Sequence, residues 1–309
     1  MGGEPSCDLV NPMNEKHTKP VVGILGGSGL YEIAGLTDTQ WIKIESPWGA
    51  PSDAVFTGSL DGVRVVFLPR HGRGHVHAPT DINYRANIDI LKRASVTDII
   101  SLSAVGSFRE HFEPGTFVIV DQFIDRTFAR EKSFFGKGMV AHVSMANPVC
   151  ARLGDALQAA AFDLNLKVVR NGTYLCMEGP QFSTRAESEL YRSWGCDVIG
   201  MTNMPEAKLA REAEMCYATV AMVTDFDCWH PHHDDVEVAD IIKVLSQNAD
   251  NARALVKSVV PGVAAARLAT CTHGCDRALD SAMITAPEAR DPARLAKLDA
   301  VAGRVLRTQ

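Results

Sequence analysis

What the chain lacks narrows its class first. Among its 309 residues there is no apolar run of about 18, the length a membrane-crossing helix needs, so no transmembrane helix is expected. There is no basic excess either: 31 Lys and Arg against 37 Asp and Glu give a net charge of −6, which leaves no electrostatic reason for nucleic acid or an anionic membrane as partner. The first 19 residues hold no apolar signal-peptide core, and with Gly2, Gly3, Pro5, Asn11, Pro12 and Asn14 they read as a disordered extension. No composition break and no internal repeat divides residues 20–260. Cysteines at 7, 150, 176, 196, 216, 228, 271 and 275 follow no disulfide framework, and several sit inside apolar runs, as reduced core residues of a cytoplasmic protein do. Cys271, His273 and Cys275 make one suggestive group, but three ligands without a fourth nearby are a poor zinc site, so no metal and no cofactor is expected.

What is present is a set of short apolar strands whose exits carry small or polar residues. Val21–Leu25 runs into Gly26-Gly27-Ser28-Gly29, a turn whose backbone N–H groups and Ser28 hydroxyl suit an anion, although it has neither the Lys of a Walker loop nor the G-x-G-x-x-G spacing. Residues 53–69 alternate around Asp61-Gly62, a hairpin signature, and deliver Pro69-Arg70-His71-Gly72. There Arg70 offers a planar fork for an oxyanion and His71 a further donor; a merely solvated basic loop is the simpler alternative. A strand over 97–102 is expected to end at Ser103-Ala104-Val105-Gly106-Ser107, and one over 197–201 at Met201-Thr202-Asn203. Helices are predicted near 81–94, 148–165, 184 onward, 206–214 and 236–259, with one or two more in 275–305. His230-Pro231-His232-His233-Asp234-Asp235 reads as a solvated turn rather than a metal site, because its histidines are adjacent and unspaced. The fold class is α/β: one domain over 20–309, with a mixed central sheet flanked by helices on both faces.

The stretch around which the chain is organised is Cys216–His230, CYATVAMVTDFDCWH. It carries no charge between Glu214 and Asp225, so it reads as a strand buried on both faces. In an extended segment side chains alternate, so Asp225 and Asp227 are expected on one side with Phe226 on the other. Two like charges held together in a partly buried place cannot both ionise comfortably, so one should keep a proton and be able to donate it. The competing reading is that one Asp caps a helix and the other is solvated.

Taken together, Gly26-Gly27-Ser28-Gly29-Leu30, Pro69-Arg70-His71-Gly72 with Asn83-Tyr84-Arg85-Ala86-Asn87, Asp121–Thr127, Glu178–Ser183 with Arg185-Ala186-Glu187, Met201–Glu206 and Thr224–Trp229 resemble the 5′-methylthioadenosine phosphorylases within the trimeric purine nucleoside phosphorylases. The resemblance spans roughly residues 20–260 in consistent order. It implies the nucleoside phosphorylase fold and phosphorolysis of 5′-methylthioadenosine, with inorganic phosphate as co-substrate and no cofactor. It also implies phosphate held by Ser28, Arg70, His71, Ser103, Ala104 and Thr202, and catalysis by Asp225 and Asp227 at the N7 and 6-amino edge of the purine. Phe182 would pack on the base, Met201 would lie beside the ribose, and Val238 and Ile241 would line the 5′ pocket. His142 would reach a neighbouring subunit's substrate, which implies a homotrimer. Three positions depart from the pattern: Ser28 where Thr is usual, Val105 for a Cys, and Gly200 where Asn is common.

Overall fold

The apolar segments assemble into one mixed sheet of nine strands in a computed structural model that describes residues 20–27, 29–230, 238–267 and 270–307, and their side chains except those of 238–243. The strands are β1 (Val22–Gly26), β2 (Thr37–Ile42), β3 (Val55–Leu60), β4 (Val63–Pro69), β5 (Asp98–Ser107), β6 (Phe117–Asp125), β7 (Val168–Cys176), β8 (Val198–Gly200) and β9 (Cys216–Asp225). Their order is β2-β3-β4-β1-β5-β8-β7-β6-β9, and β9 also pairs in parallel with β5. Strands β5, β8, β7, β6 and β9 therefore close into a ring, with β2, β3, β4 and β1 extending from it. The mixed sheet and its helical cover agree with the sequence reading. Ring closure was not foreseen, because a strand buried on both faces looks the same in an open sheet and in a closed one.

Seven helices cover the sheet among the described residues: α1 (Tyr84–Arg93), α2 (Ala151–Asp163), α3 (Arg185–Ser193), α4 (Asn203–Glu212), α5 (Val238–Ala265), α6 (Pro292–Lys297) and α7 (Gly303–Leu306). Ile88 and Leu91 of α1, with Leu209 and Ala210 of α4, bury against Leu25, Leu68 and Val105 on one face. On the other, Leu153 and Leu157 of α2 and Leu255 and Val256 of α5 meet Ile24, Phe67 and Ile100. The Asn83 side chain caps α1 by accepting from the Ala86 N–H at 3.1 Å, so the helix starts later than the 81 expected. The expected hairpin is present as β3–β4, and Asp61 and Gly62 both take positive φ, 49° and 78°, as a tight turn matched to strand twist requires.

Strand β5 runs further than the sequence suggested. Its paired residues continue through Gly106 with β9 and through Ser107 with β8, so Ser103 and Ala104 lie within a strand and not at its exit. Pairing with β9 holds the backbone there, which lets small polar residues remain extended in a place where their local preference is to turn. Ala104 is exposed in a strand whose other residues are buried, so the sheet opens to solvent at that point. The expected disordered extension, residues 1–19, lies outside the described residues, as do Pro231–Glu237 in the His- and Asp-rich turn.

Candidate active site

Strand β9 is buried along nearly its whole length and presents Asp225 as its last residue. Strand alternation does not continue beyond it. Phe226 leaves the extended region at φ −98° and ψ 22°, and Asp227 takes φ 51° at the start of the 3₁₀ turn Asp227–Trp229. A turn, rather than the pleat, brings the two carboxylates together, with the Asp227 N–H donating to Asp225 Oδ1 at 2.8 Å. Both lie over Gly106 of β5: a Cβ there would stand 2.9 Å from Asp225 Oδ1 and 3.3 Å from Asp227 Cβ. Gly106→Ala should therefore cost about 1–3 kcal/mol of folding stability by overpacking, read from the urea midpoint. An unchanged midpoint would mean that the pair is not seated against this glycine.

The two carboxyls are held by different partners. The Thr224 hydroxyl lies 3.1 Å from the Val105 carbonyl and donates to Asp225 Oδ2 at 2.7 Å. Asp227 is treated differently: both of its oxygens accept from the Ser183 hydroxyl, at 2.8 and 2.7 Å, which suits a carboxylate. Electrostatics favours a proton on the pair. Burial pushes the Asp225 carboxyl above its ordinary range, the Thr224 and Asp227 donors pull it back, and the charge of Asp227 raises it again. Burial also raises Asp227, with Ser188 and Ser183 opposing.

Arg70 follows β4, its N–H bonded to the Gly26 carbonyl at 2.9 Å, so the exits of β1 and β4 are tied together. Its guanidinium is almost fully buried, and its fork is filled by the protein itself. Nε donates to Glu206 Oε2 at 2.7 Å, and Nη2 donates to Glu206 Oε1 at 3.0 Å and to Ser101 Oγ at 2.6 Å. Nη1 donates to the Leu102 carbonyl at 3.1 Å, which leaves one of its two N–H groups for a further acceptor. His71 is held by its Nδ1 at 2.9 Å from the His77 carbonyl, and its ring stacks on His75 at 4.2 Å. Because a carbonyl only accepts, Nδ1 carries the proton, and in the neutral ring Nε2 is an acceptor. Burial holds the ring neutral by pulling its pKa down to about 4.

Next to this pair, Ser103 Oγ is 3.1 Å from the Tyr174 hydroxyl, which also lies against the Thr202 backbone. Thr202 is the residue before α4 and is buried. The Tyr174 hydroxyl occupies the space beside Gly200, where an added Cβ would sit 1.9 Å from it. Ser103, Thr202, Asp225 and Asp227 are thus gathered along β5, β8 and β9, with Arg70 joined to them through Ser101 of β5. Met201 is half-buried, and its carbonyl accepts from Arg130 Nη1 at 2.5 Å. Phe182 is 48 % exposed, and it directly precedes Ser183, the partner of Asp227. Ser28 lies outside the described residues, as do the side chains of Val238 and Ile241. His142 lines a different cavity, of about 750 Å³, together with Gln122, Arg170 and Arg211, and none of the other site residues lines it.

Several positioning residues were not singled out in the sequence. Glu206 neutralises Arg70 and accepts from the Tyr217 hydroxyl at 2.9 Å. Arg130, buried, donates to the carbonyls of Glu178, Met201 and Met204 and pairs with the Glu178 carboxylate at 3.0 Å, fastening the irregular 126–150 segment to the β7 and β8 exits. Glu178 also accepts from Thr80 and from two backbone N–H groups; these donors outweigh its burial and hold its pKa down at about 2. Gly200 was the one hint of Tyr174, since a lost side chain beside a site leaves room for another. Arg130, a lone Arg in an irregular stretch, gave no signal at all. Among the described residues, the grouping with metal-ligand chemistry lies apart from these residues and consists of cysteines.

Comparison with known proteins places this geometry among relatives. The family model of the phosphorylase superfamily matches residues 21–261. The S-methyl-5′-thioadenosine phosphorylase of Cereibacter sphaeroides is 65% identical over 293 residues, covering 94% of this chain and 99% of that one. The protein of the same name from Rhodospirillum rubrum is 64% identical, covering 95% and 100%. Among solved structures, a methylthioadenosine phosphorylase from an antarctic soil metagenomic library superposes with a TM-score of 0.87 at 47% identity, over 92% of this chain and 99% of that one. The Schistosoma mansoni methylthioadenosine phosphorylase in complex with adenine gives a TM-score of 0.79 at 34% identity, over 85% and 98%.

Proposed function

Because the chain belongs to the phosphorylase superfamily, we infer that it catalyses phosphorolysis of 5′-methylthioadenosine, releasing adenine and 5-methylthioribose 1-phosphate. The observation that carries this reading is the buried pair Asp225 and Asp227, joined by the Asp227 N–H on Asp225 Oδ1 and both pushed up by burial; in the proposal Asp225 holds the proton and Asp227 the charge. A 6-aminopurine offers N7 as an acceptor and its exocyclic amine as a donor, and a protonated and an ionised carboxyl side by side complement both. In the reaction the C1′–N9 bond breaks, its electron pair spreads into the purine, and N7 takes the Asp225 proton. A phosphate oxygen then forms the new bond to C1′. The residues act by placing phosphate and purine on opposite sides of the sugar and by meeting the charge that develops on the base.

Arg70 contributes a fixed positive field and one N–H; His71, with Nε2 an acceptor rather than the expected donor, can take only a protonated phosphate oxygen, and Ser103 and Thr202, with Ser28 and the Ala104 backbone, complete the phosphate side of the proposal. Phe182 supplies the face for the base, Met201 lies at the ribose, and Val238 and Ile241 line the 5′ pocket. A homotrimer in which His142 reaches across to a neighbour's substrate, a place in purine and methionine salvage, and a cytoplasmic setting belong to the same reading. No helix among the described residues is long and apolar enough to cross a membrane.

A 6-oxopurine or methylthioinosine phosphorylase is the nearest rival. It is disfavoured because a 6-oxo group would face the Asp227 charge, where an amide donor would be needed. A non-catalytic nucleoside sensor would not need a proton stored beside the base. Adenine release from methylthioadenosine, adenosine and methylthioinosine, each with and without phosphate, tests the proposal. Strict phosphate dependence with methylthioadenosine preferred is the expected result; release without phosphate would make the enzyme a hydrolase, and preference for methylthioinosine would overturn the roles of the aspartates.

A further inference from the structure

We propose that Cys150, Cys216, Cys271 and Cys275 form a tetrathiolate site for a single zinc ion, a structural centre separate from the aspartate pair and independent of the reaction assigned above. The four Sγ atoms all lie within 4.8 Å of one another, and all four residues are buried. Four thiolates at about 2.3 Å from a zinc ion define a tetrahedron with S···S edges of about 3.8 Å. Cys150 Sγ and Cys271 Sγ are 3.8 Å apart. Sulfurs this close enclose one ion and leave no room for the several irons and bridging sulfides of a cluster. Packing alone gives no reason for such convergence: a buried thiol behaves as a small hydrophobe and is satisfied by any apolar neighbour. His273, which the sequence reading grouped with Cys271 and Cys275, is not among the four; the missing ligands come from distant parts of the chain.

Each sulfur is carried by anchored backbone. Cys150 immediately precedes α2, its N–H donating to the Tyr217 carbonyl at 2.8 Å, and its thiol lies at the helix end that favours a thiolate. Cys216 opens β9 with its N–H on the Thr97 carbonyl at 3.0 Å. The Cys271 N–H donates to Asp276 Oδ2 at 2.7 Å, and the Gly274 N–H to the Cys271 carbonyl at 2.9 Å. Gly274, at φ 66°, then turns the chain so that Cys275 comes back to the cluster. Four thiolates around a divalent ion leave two negative charges in the interior, where they need partners. Arg267 Nη1 donates to Cys216 Sγ at 3.2 Å and to Asp98 at 2.9 Å, Arg152 pairs with the same Asp98, and Arg267 Nη2 meets Asp276 at 3.4 Å, so two guanidiniums and two carboxylates border the thiols, with one guanidinium donating directly to a sulfur.

Binding involves no electron transfer: four S–Zn bonds form and the thiol protons pass to solvent. The ion would fasten the start of α2, the first residue of β9 and the segment after α5 to one another. Cys216 and Asp225 are the two ends of the ten-residue β9, so at about 3.3 Å per residue the centre lies on the order of 30 Å from the aspartates and takes no part in substrate chemistry.

The test uses the full-length protein purified under reducing conditions without chelator. Elemental analysis is expected to find about one zinc per chain, and Co(II) taken up in its place should show the intense d–d absorption of tetrahedral tetrathiolate cobalt. The Cys271→Ser, Cys275→Ser double variant should lose the metal and fall in Tm by roughly 5–10 °C, with kcat for methylthioadenosine at 25 °C retained within about twofold. Should that variant fail to fold, the wild-type protein stripped by a thiol-binding mercurial and re-zincated gives the same readout. Less than about a tenth of a metal ion per chain after Zn(II) loading, with no cobalt absorption, would overturn the proposal. So would disulfides among the four cysteines in the reduced preparation, or iron as the sole bound metal.

Discussion

Asp225→Asn is expected to lower kcat/KM for methylthioadenosine by about 10²–10⁴-fold, the range for loss of a positioned general acid, without loss of folding stability. The amide keeps the shape and can still accept from the Asp227 N–H and meet Thr224, but its N–H is not an acid, so the departing purine leaves as an unprotonated anion. The stability half follows from the direction of the shift. A carboxyl whose folded pKa lies above its unfolded value of 3.8 contributes stability in full below that unfolded value, and loses it as pH rises through the folded value. At neutral pH the acid is therefore a net cost to the fold, and Asn removes that cost. Urea unfolding at pH 7 should give a midpoint equal to or above that of the native protein, beside the kinetic collapse. A matched loss of both would mean that Asp225 holds the structure together and has no chemical task.

Glu206→Gln should be the most destabilising conservative change in the site, at about 3–5 kcal/mol, because it leaves a buried guanidinium without its counter-charge. Arg70 and Glu206 have side-chain exposures of only 3% and 2%, so water cannot replace the lost carboxylate. Burial opposes the charge on Arg70, and Glu206 is what restores it. Denaturant midpoints measure the stability term, and the phosphate KM should rise along with it, since Arg70 would no longer be held at the β1 and β4 exits. A loss below about 1 kcal/mol, the level of an exposed pair, would show that the pairing does not control Arg70.

Much of this could be read from residues alone, and where reading failed the cause was physical. The uncharged run ahead of Asp225 predicted a fully buried strand, and Asp61-Gly62 predicted a hairpin; both are local patterns, and both are present. The aspartate pair was found for a partly mistaken reason: Phe226 breaks the pleat and the left-handed Asp227 restores the pairing, a turn geometry that no side-chain periodicity encodes. Arg70 was recognisable as an anion-seeking side chain, but its nearest anion is Glu206, which enters from another element and could not be assigned without the fold. The four converging cysteines were visible only as scattered thiols, since ligands gathered from α2, β9 and the post-α5 segment carry no spacing signature. Strand β5 shows the opposite limit: Ser103 to Ser107 look like a loop, and pairing with β9 as far as Gly106 and with β8 at Gly106 and Ser107 keeps them extended.

Gly200 and Tyr174 bear on how such a site can diverge. A Cβ on Gly200 would overlap the Tyr174 hydroxyl at 1.9 Å and touch Val105 Cγ1 at 3.2 Å. The Asn that the family pattern leads one to expect at this place is therefore inaccessible in a single substitution. Tyr174 must first be shortened, at the expense of its contacts to Ser103 and Thr202, before any side chain can enter. Substitution at the two positions is thus ordered, and the intermediate with a small residue at both places would carry a cavity. The coupling runs one way: Tyr174 can change beside Gly200, but position 200 cannot gain a side chain while Tyr174 stays as it is.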